Sequence, residues 1–434
     1  MGRYIYGFRP LQKGVSSEHP SFHQHYSHPV WGSINWIIKQ NSIQKRWGYT
    51  SDRDFGAGVE IQQVARYDLK DGNSYTMVFT DADLCKRETS GSNTFSYKTE
   101  TGDYNAGIDD ITAAVVTGKA GTTWSTDGVA AGDKFILDDD HSPLIETDTH
   151  WAEVQTVDSE TQITLTASYT GTTGSFTGVE KDALIRKVYT VPTNERWTYA
   201  IVDDKLCFTN GNTDVQYWDG SNYAGALDST YAREARYCIE FGNRLYLADL
   251  LISGVRDPLA LWGSVEGDPT DFDTGNGAVL YRLRDTADWI TGLGKVGGNL
   301  TIYKKDSYMM YARTGDTTDP ISRVIDRVGL GCVAPYSIVP FRGANAFLWR
   351  DDFYAFDGSQ HANIGGQIRD KFFDLVPETE VERVYGFSNP LTSEIYWHAN
   401  TLEGEYWFVW NHRYDEWYVN QYADAIFTGG RGVV

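Results

Sequence analysis

Hydrophobic and polar positions alternate with a period of two over most of this chain, the spacing that turns one face of a β-strand to a core and the other to water. One unit recurs at roughly 40 to 50 residues, the period range of propeller and solenoid repeats. It is a short turn of Gly, Asn or Asp followed by an alternating hydrophobic strand. It occurs as Asp204-Lys205-Leu206-Cys207-Phe208, Gly242-Asn243-Arg244-Leu245-Tyr246-Leu247, Gly298-Asn299-Leu300-Thr301-Ile302-Tyr303 and Ala344-Asn345-Ala346-Phe347-Leu348-Trp349, and again as Ser393-Glu394-Ile395-Tyr396-Trp397. A second unit is an aromatic strand closed by Asp-Gly: Val215-Gln216-Tyr217-Trp218-Asp219-Gly220 and Phe353-Tyr354-Ala355-Phe356-Asp357-Gly358, with a diverged copy around Trp410 to Tyr418. Asp bonds its own backbone and Gly takes the positive φ that such a turn needs. Antiparallel meanders follow, and a radial array of them is a β-propeller, here of about six blades.

The pattern also divides the chain. Residues 62–68, 75–80 and 84–87 alternate in the same way and give a first blade within 59–108. Residues 109–179, rich in Thr, Gly and Asp, read as a small β-barrel inserted into the propeller, where long insertions are tolerated. The propeller pattern resumes within 180–434 and ends on a strand expected near 425–428 that pairs with the first blade. Residues 1–58 lack clean periodicity and form an extended N-terminal arm. Only residues 367–375 suggest a helix, so the fold class is all-β.

Composition sharpens this picture. The chain of 434 residues holds 28 Tyr and 14 Trp against 4 Met, a balance suited to pleated, half-buried surfaces. No apolar run approaches the roughly 20 residues of a membrane helix, and the first residues lack the apolar core of a signal peptide, so no membrane anchor is expected. Cys85, Cys207, Cys238 and Cys332 are scattered, without a CxxC pair, and read as buried thiols of a reducing compartment. A net charge of -21 argues against sequence-independent binding to DNA. The arm runs against this balance, with seven basic and three acidic side chains, while 109–179 carries twelve acids and only Lys119 and Lys134. Arg3, Arg9, Lys13, Lys45 and Arg46, with Trp31 and Trp36, are therefore the candidate docking residues for an acidic neighbour.

Candidate chemistry is sparse. His19, His23, His25 and His28 cluster, but their spacing matches no defined metal motif and they read as a polar interface loop. Asp138, Asp139, Asp140 and His141 lack the glycine-spaced frame of a calcium loop and read as a solvated acidic turn. Arg282, Arg284, Arg323 and Arg327 sit among Asp285 and Asp326 and read as ion pairs. Ser125-Thr126-Asp127-Gly128 has a sialidase-like composition at the wrong spacing. No Ser-His-Asp or Cys-His arrangement and no phosphate-cradling loop is legible, so no catalytic residue, metal or cofactor is assigned and the chain reads as non-enzymatic. Trp407, Trp410, Tyr414, Trp417 and Tyr418 admit two readings, blade packing or a platform on which sugars stack. The second makes a glycan- or receptor-binding propeller the alternative function.

Several segments resemble the tail-hub or nozzle proteins of short-tailed bacteriophages, which are β-propeller virion components. Asn41-Ser42-Ile43-Gln44-Lys45-Arg46-Trp47-Gly48-Tyr49 is similar to their early Lys-Arg-Pro-Gly turn, with Trp47 in place of the proline. Leu261-Trp262-Gly263-Ser264 followed by Gly267-Asp268-Pro269-Thr270-Asp271-Phe272 resembles a recurring blade edge of the family. Residues 329–339, Gly-Leu-Gly-Cys-Val-Ala-Pro-Tyr-Ser-Ile-Val, lead toward the Phe-Asp-Gly turn at 356–358 as in the family pattern. The resemblance implies a virion tail protein assembled in the bacterial host cytoplasm. Its copies would form a homo-oligomeric ring, with the arm on the portal or adaptor connector and on other tail proteins. Genomic DNA would pass through the ring during ejection without specific binding, and a negative wall suits that passage because it repels phosphate.

Overall fold

A computed structural model describes residues 59–421 apart from 89–93, 103–106, 146, 222, 228–229, 231–233 and 367, together with two short strands, Trp36–Lys39 and Ser42–Lys45. Six four-stranded antiparallel sheets follow one another along the chain, each in sequential strand order. The protein is a six-bladed β-propeller. Blade 1 is built from Ile61–Asp68, Ser74–Thr80, Leu84–Arg87 and Phe95–Tyr97, and blade 2 from Thr198–Val202, Lys205–Thr209, Gln216–Trp218 and Gly225–Ala226. Blade 3 comprises Glu234–Phe241, Arg244–Ile252, Val255–Gly263 and Val279–Arg282; blade 4 comprises Ile290–Val296, Asn299–Lys304, Ser307–Arg313 and Ile321–Val328. Blade 5 holds Val339–Phe341, Ala344–Leu348, Phe353–Phe356 and His361–Asn363, and blade 6 holds Tyr385–Asn389, Glu394–Thr401, Gly404–Asn411 and Glu416–Asn420.

The recurring turn unit is the hairpin between the first two strands of a blade. In blades 2 to 5 the pairs Val202↔Lys205, Phe241↔Arg244, Val296↔Asn299 and Phe341↔Ala344 each flank a two-residue loop. Both loop residues have positive φ: 46° and 58° at Asp203 and Asp204, 62° and 61° at Gly242 and Asn243, 56° and 81° at Gly297 and Gly298, 46° and 79° at Arg342 and Gly343. These are type I′ turns, whose twist matches that of the strands they join, and they pin the register of each blade.

Apolar side chains from neighbouring blades merge into shared cores. One joins Tyr67 and Phe79 of blade 1 to Phe208 and Trp218 of blade 2; others join blades 2 and 3, 3 and 4, 4 and 5, and 5 and 6. Large rings suit these wedge-shaped seams, since one aromatic buries about 150–250 Å² and spans a gap that widens outward. Phe353 shows the density: its ring centroid is 4.8 Å from those of Phe372 and Trp397 and 5.0 Å from that of Trp417. Among the described residues, blades 6 and 1 instead carry separate clusters, around Trp407 and around Phe95.

A short helix, Arg369–Leu375 (α1), followed by Glu378–Val381 (α2), connects blades 5 and 6. Helix α1 buries Phe372 in the seam core, and it occupies the one segment whose sequence suggested helix. Between blades 1 and 2 an eight-stranded sheet of residues 101–186 surrounds its own core, with Trp124, Phe135, Ile163 and Ile185 fully or almost fully buried. A bridge between Gly107 and Asp182 brings distant parts of this sheet together, so it curls around that core. Its margins lie outside the acidic stretch 109–179, because Thr101 and Gly102 pair with Arg186 and Ile185. Backbone pairing, which ignores side-chain charge, sets that margin.

Candidate functional site

The first strand of every blade lines the propeller axis. Val64, Tyr199, Ile239, Leu293, Val339 and Phe387, one from each of these strands, face a cavity of about 420 Å³. At one mouth, residues 190–197 run from the inserted sheet into blade 2 and reach across the ring. The Asn194 side-chain oxygen accepts from Arg383 (2.6 Å), ahead of blade 6. Glu195 accepts the Tyr336 hydroxyl (2.7 Å), ahead of blade 5, and pairs with Arg236 of blade 3 (3.1 Å). Arg196 donates to the Gln62 carbonyl of blade 1 (2.7 Å), pairs with Glu60 (3.5 Å), and lies 3.6 Å from the centre of the Tyr385 ring of blade 6. Trp197 Nε1 donates to the Thr80 carbonyl (2.7 Å). Five blades are thus fastened by four consecutive side chains. The network extends outward: Asp249 pairs with Arg236 (3.1 Å) and Arg256 (2.7 Å), and Arg256 donates to the Gly211 carbonyl (3.1 Å).

A phenol on a carboxylate beside three guanidiniums has the ingredients of a nucleophile and an anion clamp, so its electrostatics matter. Burial pushes the Glu195 carboxyl above its ordinary value, with the Tyr336 hydroxyl and Arg236 opposing. Burial, then the Glu195 charge, holds the Tyr336 phenol well above its own. Activation requires a phenol brought toward the working pH, and here it moves the other way. The carboxylates already hold the guanidiniums. The arrangement fastens blades.

Of the candidate docking residues, Arg3, Arg9, Lys13, Trp31 and Arg46 lie outside the described residues, as do His19, His23, His25, His28 and the strand expected near 425–428. Trp36 and Lys45 are register partners in the two-stranded hairpin, whose first strand runs beside the last strand of blade 6. The acidic turn 138–140 is a 3-10 turn: Asp139 pairs with Lys181, and Asp140 accepts from Tyr169 (2.9 Å) and Thr172 (2.7 Å). No group of three metal-ligating side chains occurs among the described residues. Arg282 pairs with Asp257 (2.9 Å), and Arg323 with Asp285 (2.5 Å) and Asp326 (3.1 Å). Trp407, Trp410, Trp417 and Tyr418 are buried in blade 6 and Tyr414 is half-buried, which settles the two readings of that cluster in favour of packing. The four cysteines are buried and unbridged. Sequence reading missed Glu195, Arg196, Arg236, Asp249 and Tyr336. The available signal was the run Asn194-Glu195-Arg196-Trp197 directly ahead of a strand, but its partners lie up to 189 positions away.

No protein-family model and no curated protein matches the sequence. Solved structures similar to this chain include dihydro-heme d1 dehydrogenase NirN (12% identity, 74% of this chain and 64% of that one, TM-score 0.32). They also include the extracellular domain of a hybrid two component system from B. thetaiotaomicron (11% identity, 82% and 44%, TM-score 0.29) and the phage phi92 endosialidase (11% identity, 78% and 53%, TM-score 0.23). This chain spans about half the length of the last two.

Proposed function

We propose that this protein is a structural component of the tail of a short-tailed bacteriophage, a hub or nozzle subunit that forms a ring below the connector. The observation that carries this reading is the mouth of the propeller axis. There the charged groups are committed to each other across five blades, as suits a rigid part that transmits force without turning over a substrate. The segments that resemble the tail-hub family support it, because they serve architecture. Asp268 takes the Thr270 amide (3.0 Å) and hydroxyl (2.6 Å) in a tight turn that leads to buried Phe272, set edge-on to Trp262 at 6.2 Å. Ser337 donates to the Ala334 carbonyl (2.7 Å) and accepts from the Leu348 amide (2.9 Å), while its own carbonyl takes the Trp397 indole N–H (2.9 Å), tying blade 5 to blade 6. A net charge of -21 suits a wall along which DNA must slide.

In this reading the basic arm meets the portal or adaptor, and the ring extends the ejection channel without catalysis. Light scattering on the purified chain, alone and with the connector components, tests it. A discrete ring, or capture into one by the connector, is the expected result. A monomer indifferent to those partners refutes it.

A further inference from the structure

Where the inserted sheet meets the propeller, a second cavity of about 380 Å³ opens between Tyr97 and Lys98 at the end of blade 1, Tyr223 of blade 2, and Asp138, His141 and Leu184 of the insert. Its frame is fixed from behind. The Arg186 guanidinium, buried in the insert's last strand, lies 3.5 Å from the centre of the Tyr97 ring and 4.8 Å from that of Trp151, and pairs with Asp83 (3.4 Å). His141 sits with Nδ1 3.0 Å from buried Asp148 and Nε2 3.0 Å from the Tyr223 hydroxyl, while Trp151 donates to the same carboxylate (2.5 Å). Lys187 donates to Asp133 (3.0 Å) and the Ile145 amide to the Phe95 carbonyl (2.9 Å), further contacts that pin the insert to the propeller. The cavity therefore has a preset shape.

Against this held frame, two charged groups stand out. The Lys98 ammonium is half-buried, makes no ion pair among the described residues, and lies 5.9 Å from the centre of the Tyr223 ring. Burial, then repulsion from Lys86, lowers its affinity for a proton, with the Glu88 charge opposing in part. A partly desolvated ammonium that makes no ion pair is costly, and an incoming anion relieves that cost. Asp138, contributed by the insert, has no side-chain hydrogen bond or ion pair among the described residues. Tyr97 and Tyr223 add aromatic rings to the lining. One cation without an ion pair, one carboxylate without a hydrogen-bond donor among the described residues and two aromatic rings in a space of this size match a ring-shaped ligand that carries both a carboxylate and hydroxyls.

We propose that this seam is a binding site for an acidic sugar, a hexuronic or sialic acid unit, with the carboxylate on Lys98, hydroxyls on Asp138 and the apolar sugar face on the tyrosines. The site stands apart from the axial network and does not depend on ring assembly.

Saturation-transfer NMR and calorimetry on the full chain with glucuronate and N-acetylneuraminate, against glucose, test it. Binding of at least one acid in the millimolar range, with glucose much weaker, is the expected result. Lys98→Gln should weaken it about tenfold, the size of one charge-assisted hydrogen bond, and Asp138→Asn by a smaller factor. Because Asp138 is exposed, its variant keeps the fold and reports on the site even if Lys98→Gln does not fold. Unchanged circular dichroism and melting temperature qualify each variant. Equal binding of glucose and glucuronate, full affinity in both variants, or no binding of either acid overturns the proposal.

Discussion

Replacing Arg196 by Met should loosen the closure of the ring, because this side chain joins blades 1, 2 and 6 where the described residues of blades 6 and 1 share no apolar cluster. The side chain is only 12% exposed, so its interactions are sheltered from solvent screening. The bond to the Gln62 carbonyl, charge-assisted, contributes about 1.5–3 kcal/mol. Stacking on Tyr385 adds about 0.5–2 kcal/mol. The pair with Glu60 adds less than about 1 kcal/mol, since that carboxylate is 38% exposed. Methionine recovers part of the apolar contact, which leaves a net loss of about 3 kcal/mol. At roughly 2 cal/mol/K per residue for a chain of 434 residues, this lowers the melting temperature by about 3 °C when the whole chain melts together. Urea unfolding followed by tryptophan fluorescence should show an earlier midpoint at an unchanged slope. Arg66→Met is the control: Arg66 pairs with Asp68 at 2.7 Å with both side chains more than a third exposed, and its loss should stay within about 0.5 kcal/mol. If Arg196→Met melts with the wild type, or no lower than the control, the mouth network does not hold the ring.

Other groups make separate predictions. Burial, with the Asp415 charge, pushes Glu416 from 4.5 up to about 7, so it favours the fold below pH 4.5 and loses that contribution as pH rises through 7; Glu416→Gln should therefore stabilise by about 2–3 kcal/mol at pH 8 and change little at pH 4, read by thermal melts. His398 runs the other way, because burial and then Arg196 press it from 6.5 down to about 4: its contribution is present above pH 6.5 and lost as pH falls toward 4, and His398→Gln should flatten that acid limb of the stability curve. Lys304 is fully buried, donating to the Leu283 carbonyl (3.1 Å) and Thr286 Oγ1 (2.6 Å) beside Asp288 (3.4 Å); Lys304→Met strands those acceptors and should cost about 3–5 kcal/mol in urea unfolding. Phe353→Ala opens a void among Phe372, Trp397 and Trp417, for which about 3–5 kcal/mol and a reduced near-ultraviolet dichroism signal are expected.

How much of this was legible beforehand depends on sequence distance. The two-residue turns, such as Gly242-Asn243, carry the backbone preference in their own residues, so hairpins and their registers could be read locally. The aromatic strands ending at Asp219-Gly220 and Asp357-Gly358 were legible for the same reason: Asp219 accepts from the Ser221 amide (2.9 Å) and Asp357 from the Ser359 amide (2.8 Å), contacts two residues long. The helix α1 and the change of texture at the insert are also local signals.

What the tertiary structure alone decided is which of these local units meet. Period-two alternation says that a side chain faces inward, but a blade has two covered faces and an axis, and the pattern cannot tell a seam from a channel. Trp417 and Tyr418 became core instead of a sugar platform because blade 6 is covered on the sides they face. Glu195 found Tyr336 across 141 positions, and Arg196 found Gln62 across 134, only because a radial array returns the chain to its own axis. Turns follow from one residue's φ and its own side chain, whereas the mouth network and the seam cavity depend on distances that closure of the ring and docking of the insert bring about.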